Sequence, residues 1–181
     1  MFPTLDEETN ARPANGLFWL LRLRWLAALG ILLLSGTSVW FFGLRLPWAL
    51  ISAAVLVILA SNAAALWVRP VSERAVNRWL VGLIFGDVFL VTVLLYFTGG
   101  AHNPFTVLYV LHITLAVILL NGAWAWFLVL LCGAGFGLLF TSDHMLIGPE
   151  GVPVCDDLNF HLQGMLAATV AAGGGVVYFV T

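Results

Sequence analysis

The stretch Thr98-Gly99-Gly100-Ala101-His102-Asn103-Pro104-Phe105 joins two apolar runs and holds the densest turn chemistry in the chain. Gly99 and Gly100 accept positive φ and let another group come close to the backbone. Asn103 suits an N-cap, and Pro104 behind it suits the first helical position, where no N–H is required. The run from Phe105 to Leu120 then reads as a helix whose free N-terminal N–H groups face the connection. Glycines, amide side chain, N–H groups and the Phe105 ring thus converge at one end of two helices, an arrangement that suits a ligand with a polar head and an apolar body. The same residues also describe a tight turn that ends one helix and caps the next.

Outward from that loop the chain is apolar. Of its 181 residues 62% are hydrophobic and only 9% charged, with a mean hydropathy of +1.04. Soluble domains carry about 25% charged residues, so this is an integral membrane protein of all-α class. Eight Trp and thirteen Phe suit interfacial belts and lipid-facing surfaces. The net charge of −2, with seven cations that are all Arg and dispersed, excludes a nucleic-acid surface. Cys132 lies in an apolar run and Cys155 in a polar connection, so the two read as separate structural thiols.

In chain order, residues 1–16 read as a flexible polar tail and residues 17–181 as one bundle of six membrane spans. The first span runs from Trp25 to Phe42, with Arg22 and Arg24 as its positive flank; the second, Trp48 to Val68, follows a turn over Gly43 to Pro47. The connection Arg69 to Arg78 leads to a third span, Trp79 to Phe97, which ends at the loop. Phe105 to Phe140 is too long for one crossing, at ~54 Å as a helix, and Asn121-Gly122 divides it into spans four and five. A cation-free acidic connection, Thr141 to His161, precedes a sixth span, Leu162 to Val180. The chain stops directly after it, as a piece of a longer protein would. Arg12, Arg22, Arg24, Arg69, Arg74 and Arg78 fall on one side and Arg45 on the other, so both termini are expected in the cytoplasm and the Gly-Gly…Asn-Pro loop on the far side.

Asp87 is the sole acid inside a span, and an ionisable group at that depth is a functional candidate by default. The alternative is a hydrogen-bonded acid at a helix contact, beside the Gly82/Gly86 face that permits close packing. His102, His144 and His161 fall on the far side without characteristic metal-ligand spacing, so no metal site is assigned. His112, inside span four, reads as a histidine bonded to a neighbouring helix. Gly133-Ala134-Gly135-Phe136-Gly137 and Gly173-Gly174-Gly175 read as small packing faces. No phosphate loop, HExxH or nucleophile–base pair is present, so no catalytic residue is assigned.

With these pieces in place the chain resembles the membrane sensor region of the RegB/PrrB redox-sensing histidine kinases. Gly99-Gly100-Ala101-His102-Asn103-Pro104-Phe105 is similar to that family's GGxxNPF quinone-site motif. Arg24-Trp25-Leu26-Ala27, the position of Asp87 before the loop, and His161-x-x-Gly164-Met165 with Tyr178-Phe179-Val180 extend the likeness over most of the chain. Gly30 is followed by Ile31, where the family tends to have Gln, and neither Cys132 nor Cys155 matches the family's redox cysteine.

The resemblance implies an input module of a two-component, redox-responsive kinase in the bacterial inner membrane. Ubiquinone or another membrane quinone would bind at Gly99, Gly100, Asn103, Pro104 and Phe105, with Asp87, His102 and His161 as secondary candidates. It also implies a homodimeric parent, a cognate response regulator, and a kinase part that would follow Thr181. Two other classes compete. A small transporter would show inverted repeats and several polar residues along a path, and a haem-binding or catalytic membrane protein would need paired ligands on facing helices. One acid and unpaired histidines favour neither.

Overall fold

In the computed structural model of the chain, the described residues are 5–70, 72–142, 147 and 151. Among them every element is a helix: α1 Leu5–Phe42, α2 Trp48–Val68, α3 Glu73–Phe97, two 3-10 turns at Gly100–His102 and Pro104–Val107, α4 Leu108–Leu119 and α5 Gly122–Leu139. Among the described residues four helices are long and apolar enough to cross a membrane, through Asn15–Phe41, Trp48–Val68, Glu73–Phe97 and Gly122–Leu139; Pro104–Leu119 is a shorter apolar helix. The expected sixth span, and His161 with it, lie outside the described residues.

Local chemistry explains the boundaries. Ser72 caps α3 by accepting from the Ala75 N–H at 3.3 Å, and Asn121 caps α5 by accepting from Trp124 at 3.2 Å. The division of the long apolar run at Asn121 is therefore a capped break between two helices. α2 ends on Arg69 in a left-handed conformation, φ 45°. Helix α3 begins at Glu73, six residues before the expected Trp79, because Ser72 supplies the cap there.

The first helix differs most from the reading of the sequence. Its backbone is already helical at Leu5, within the polar residues 1–16, and its membrane-compatible segment opens at Asn15 rather than Trp25. Leu17, Leu20 and Leu21 belong to the main core, packed with Leu80, Ile84, Val88, Ala116 and Leu128. A Cβ on Gly16 would stand 3.2 Å from Leu119. The first half of α1 thus closes against α3 and the end of α4. Its second half meets α2 through a much smaller cluster, Ala28, Val55 and Ile58, with Leu90 of α3 alongside. Helix α3 touches α1, α2, α4 and α5 and is the hub of the bundle.

Outward faces are apolar, as lipid contact requires: Trp40, Trp67 and Trp126 are largely exposed. Gly82 and Gly86 also face outward. A Cβ on either would meet nothing within 4 Å, so the small-residue face beside Asp87 makes no contact with the described helices.

Candidate functional site

The 98–105 connection is a closed, self-satisfied turn. Gly99 (φ 121°) and Gly100 (φ 58°) take the positive values that only glycine accepts cheaply. Asn103 is buried at 3% exposure, and its amide is used within the loop. Its oxygen accepts from the Phe105 N–H at 2.9 Å, while its nitrogen donates to the Thr98 carbonyl and, at 3.0 Å, to the Thr98 hydroxyl. Pro104 is fully buried and occupies the first position of the short turn that leads into α4. A helix start at Asn103-Pro104 was legible in sequence, although its first turn is 3-10 and the α-helix proper begins at Leu108.

The loop is also fixed to the far end of α5. A Cβ on Gly100 would lie 2.8 Å from the Leu139 carbonyl oxygen and 2.9 Å from the Ser142 Cβ. The Ser142 hydroxyl donates to the Tyr96 carbonyl, which ties the chain after α5 to the end of α3. What remains at the rim is His102, which is exposed, and Phe105, which is half-buried against the core. The structure therefore brings Gly99, Gly100, Asn103, Pro104 and Phe105 together, with His102 at their edge. It does not bring Asp87 to them: ~15 Å of helix separates Asp87 from Phe97.

Asp87 instead enters a polar cluster within the bundle. The Arg24 Nε donates to both carboxylate oxygens, at 2.9 and 3.1 Å, and Nη2 donates to Oδ1 at 2.9 Å. The same guanidinium reaches α2, through Nη1 to the Asn62 oxygen at 2.6 Å and Nη2 to the Ser61 hydroxyl at 2.9 Å. Asn62, wholly buried, donates in turn to the Leu21 carbonyl at 3.1 Å. The Arg24 and Asp87 side chains are 5% and 13% exposed. Arg24 is thus a buried partner of Asp87 and not part of a solvated cytoplasmic flank. Sequence reasoning missed Arg24, Ser61 and Asn62 as a group. The available signal was the acid itself, because a carboxylate at membrane depth implies a partner on another helix.

A third feature lies between α3 and α5, a groove of about 530 Å³ that includes Phe89, Val93 and Phe97 on one wall and Leu131, Ala134 and Leu138 on the other. Buried Thr92 also lines it; its hydroxyl donates to the Val88 carbonyl at 2.8 Å and pairs with the Tyr109 hydroxyl at 2.8 Å. Gly135 sits over this pair, where a Cβ would come within 2.9 Å of the Thr92 oxygen and 3.1 Å of the Tyr109 oxygen. The expected small packing face on α5 is therefore real at Gly135, whereas a Cβ on Gly133 or Gly137 would meet nothing within 4 Å among the described residues. At its far end the groove reaches Tyr96, Phe97 and Leu138, directly beneath the loop.

The remaining candidates are quieter. His112 Nδ1 lies 2.7 Å from the Leu108 carbonyl, so its partner belongs to its own helix rather than a neighbouring one. Cys132 is a buried free thiol. Among the described residues no three His, Cys, Asp or Glu side chains gather as metal ligands.

Comparison with known proteins follows the same outline. The family described as the PilS-like transmembrane domain matches residues 5–142. Sensor histidine kinase RegB of Cereibacter sphaeroides is 32% identical over 114 residues, which cover 61% of this chain and 25% of that protein. The matched region thus spans about a quarter of the curated relative's length. No solved structure matches.

Proposed function

The chain belongs to the PilS-like transmembrane domain family and is a multi-pass bacterial inner-membrane protein with a RegB-like sensor region; on that premise we propose that it is the input module of a redox-responsive two-component kinase, with a membrane quinone or quinol as its ligand. The kinase domain, a homodimeric parent and a response regulator belong to the same proposal, as do six spans with both termini in the cytoplasm. The arginine asymmetry supports that orientation.

The observation that carries the ligand reading is the position of the loop. Gly99-Gly100-Ala101-His102-Asn103-Pro104-Phe105 closes the end of an apolar groove that is large enough for a small ligand, since such sites span about 300–1,000 Å³. In this reading the headgroup lies at the loop rim and the isoprenoid tail follows the α3–α5 groove towards the bilayer. Phe105 offers a ring for stacking and His102 a hydrogen bond to a quinone oxygen. Asn103, Gly99, Gly100 and Pro104 act by building the rim, because the Asn103 amide is already engaged and the other three are buried.

The test is titration of the purified chain in nanodiscs with a short-tailed benzoquinone and its quinol, alongside melting temperature. Phe105→Ala and His102→Ala are expected to weaken binding; a lost hydrogen bond of about 0.5–1.5 kcal/mol corresponds to about 2- to 13-fold for His102. Absence of binding to the parent, or parent-like affinity in both variants at normal melting temperature, refutes the site.

A further inference from the structure

We propose that Arg24 is the hub of a three-helix latch that seats α2, and that Asp87 holds the latch closed from α3. The inference stands on packing and does not depend on which ligand the module takes. Helix α2 packs on α1 and α3 but takes little part in the main apolar core. Of its six buried residues only Ala65 belongs to the main core, whereas Val55 and Ile58 form a three-residue cluster with Ala28. Apolar burial gives α2 no hydrophobic preference for the bundle over lipid, because lipid tails are as apolar as leucine.

The polar cluster supplies the missing specificity. One guanidinium faces two helices at once: Nε and Nη2 reach Asp87 on α3, while Nη1 and Nη2 reach Asn62 and Ser61 on α2. Asn62 adds a second link by donating to the backbone of α1 at Leu21. The planar fork of arginine fits this geometry, and lysine, whose three donors share one nitrogen, cannot span it. With the carboxylate present the charge is neutral in sum and every buried polar side-chain atom among the described residues has a partner. Without it an unpaired cation remains inside the bundle. The guanidinium must then turn towards a polar surface, and it leaves Asn62 and Ser61 when it does. Loss of Asp87 therefore acts on α2, a helix that the Asp87 side chain does not hydrogen-bond.

Hydrogen exchange of the full chain in nanodiscs, followed by peptide, tests the latch. Asp87→Asn is expected to speed exchange in α2 by about tenfold or more, the factor that 1.4 kcal/mol of lost local stability produces, while α5 and the 98–105 loop keep the parent rates. Arg24→Gln combined with Asp87→Asn removes the unpaired charge together with the hub, so its α2 should still exchange faster than the parent. Asn62→Leu keeps the ion pair but removes both Asn62 bonds and leaves only Ser61 to link α2 to Arg24, so it should loosen α2 alone and serves if Asp87→Asn does not fold. Parent-like α2 exchange in both Asp87→Asn and Asn62→Leu overturns the proposal. So does equal loosening of α5, or parent-like α2 exchange in the double variant that lacks Arg24.

Discussion

Replacement of Gly100 by alanine probes the seam that fixes the loop to α5. Two costs add at this position. The residue sits at φ 58°, where a side chain costs about 1–2 kcal/mol. The new methyl would also stand 2.8 Å from the Leu139 carbonyl oxygen and 2.9 Å from the Ser142 Cβ, and overpacking of that kind costs about 1–3 kcal/mol. The Leu139 oxygen is backbone in the last turn of α5, so relief requires the helix end to move. The sum is about 2–5 kcal/mol, or a shift of at least about 30-fold in the folding equilibrium. Gly82→Ala is the matched control. It is helical, and its Cβ would meet nothing within 4 Å among the described residues, so the variant should gain about 0.5–1 kcal/mol from helix propensity. Equilibrium unfolding in mixed micelles, read by tryptophan fluorescence, measures both. If Gly100→Ala is as stable as the parent, the loop does not pack on α5 as described, and its glycines serve some other purpose.

Two further outcomes follow from the same packing and a third from the arginine asymmetry. Thr92→Val should cost about 1–3 kcal/mol, because it strands the buried Tyr109 hydroxyl; adding Tyr109→Phe should recover much of that loss in the same unfolding assay, and strict additivity would show that the hydroxyls do not interact. Asn103→Ala should lower stability by about 1 kcal/mol through lost capping, whereas Asn103→Asp keeps the acceptor for the Phe105 N–H but removes the donors to Thr98, so an Asp variant as stable as the parent would show that those donors contribute nothing. Cysteines placed in 72–78 should react with a membrane-impermeant thiol reagent only from the cytoplasmic side; reaction from outside would reverse the proposed topology.

Much of the framework was decided by sequence alone. Composition determined a membrane protein, and turn chemistry placed the breaks at Gly43–Pro47, at 98–105 and at Asn121, because glycine, proline and capping side chains act over a few residues. The loop's internal design was equally local: Asn103 finds its partners in Thr98 and Phe105, five and two residues away. What only the tertiary structure decided are pairings between residues far apart in the chain. Arg24 sits beside Arg22 in sequence, and both read as a positive flank, yet Arg22 stays exposed over the Phe18 ring while Arg24 turns inward to a carboxylate 63 residues away. Likewise Gly82, Gly86 and Gly135 look alike as small residues in apolar helices, but only Gly135 meets a neighbour, the Thr92–Tyr109 pair. Helical periodicity assigns a residue to a face, and packing alone assigns that face to a partner helix or to lipid.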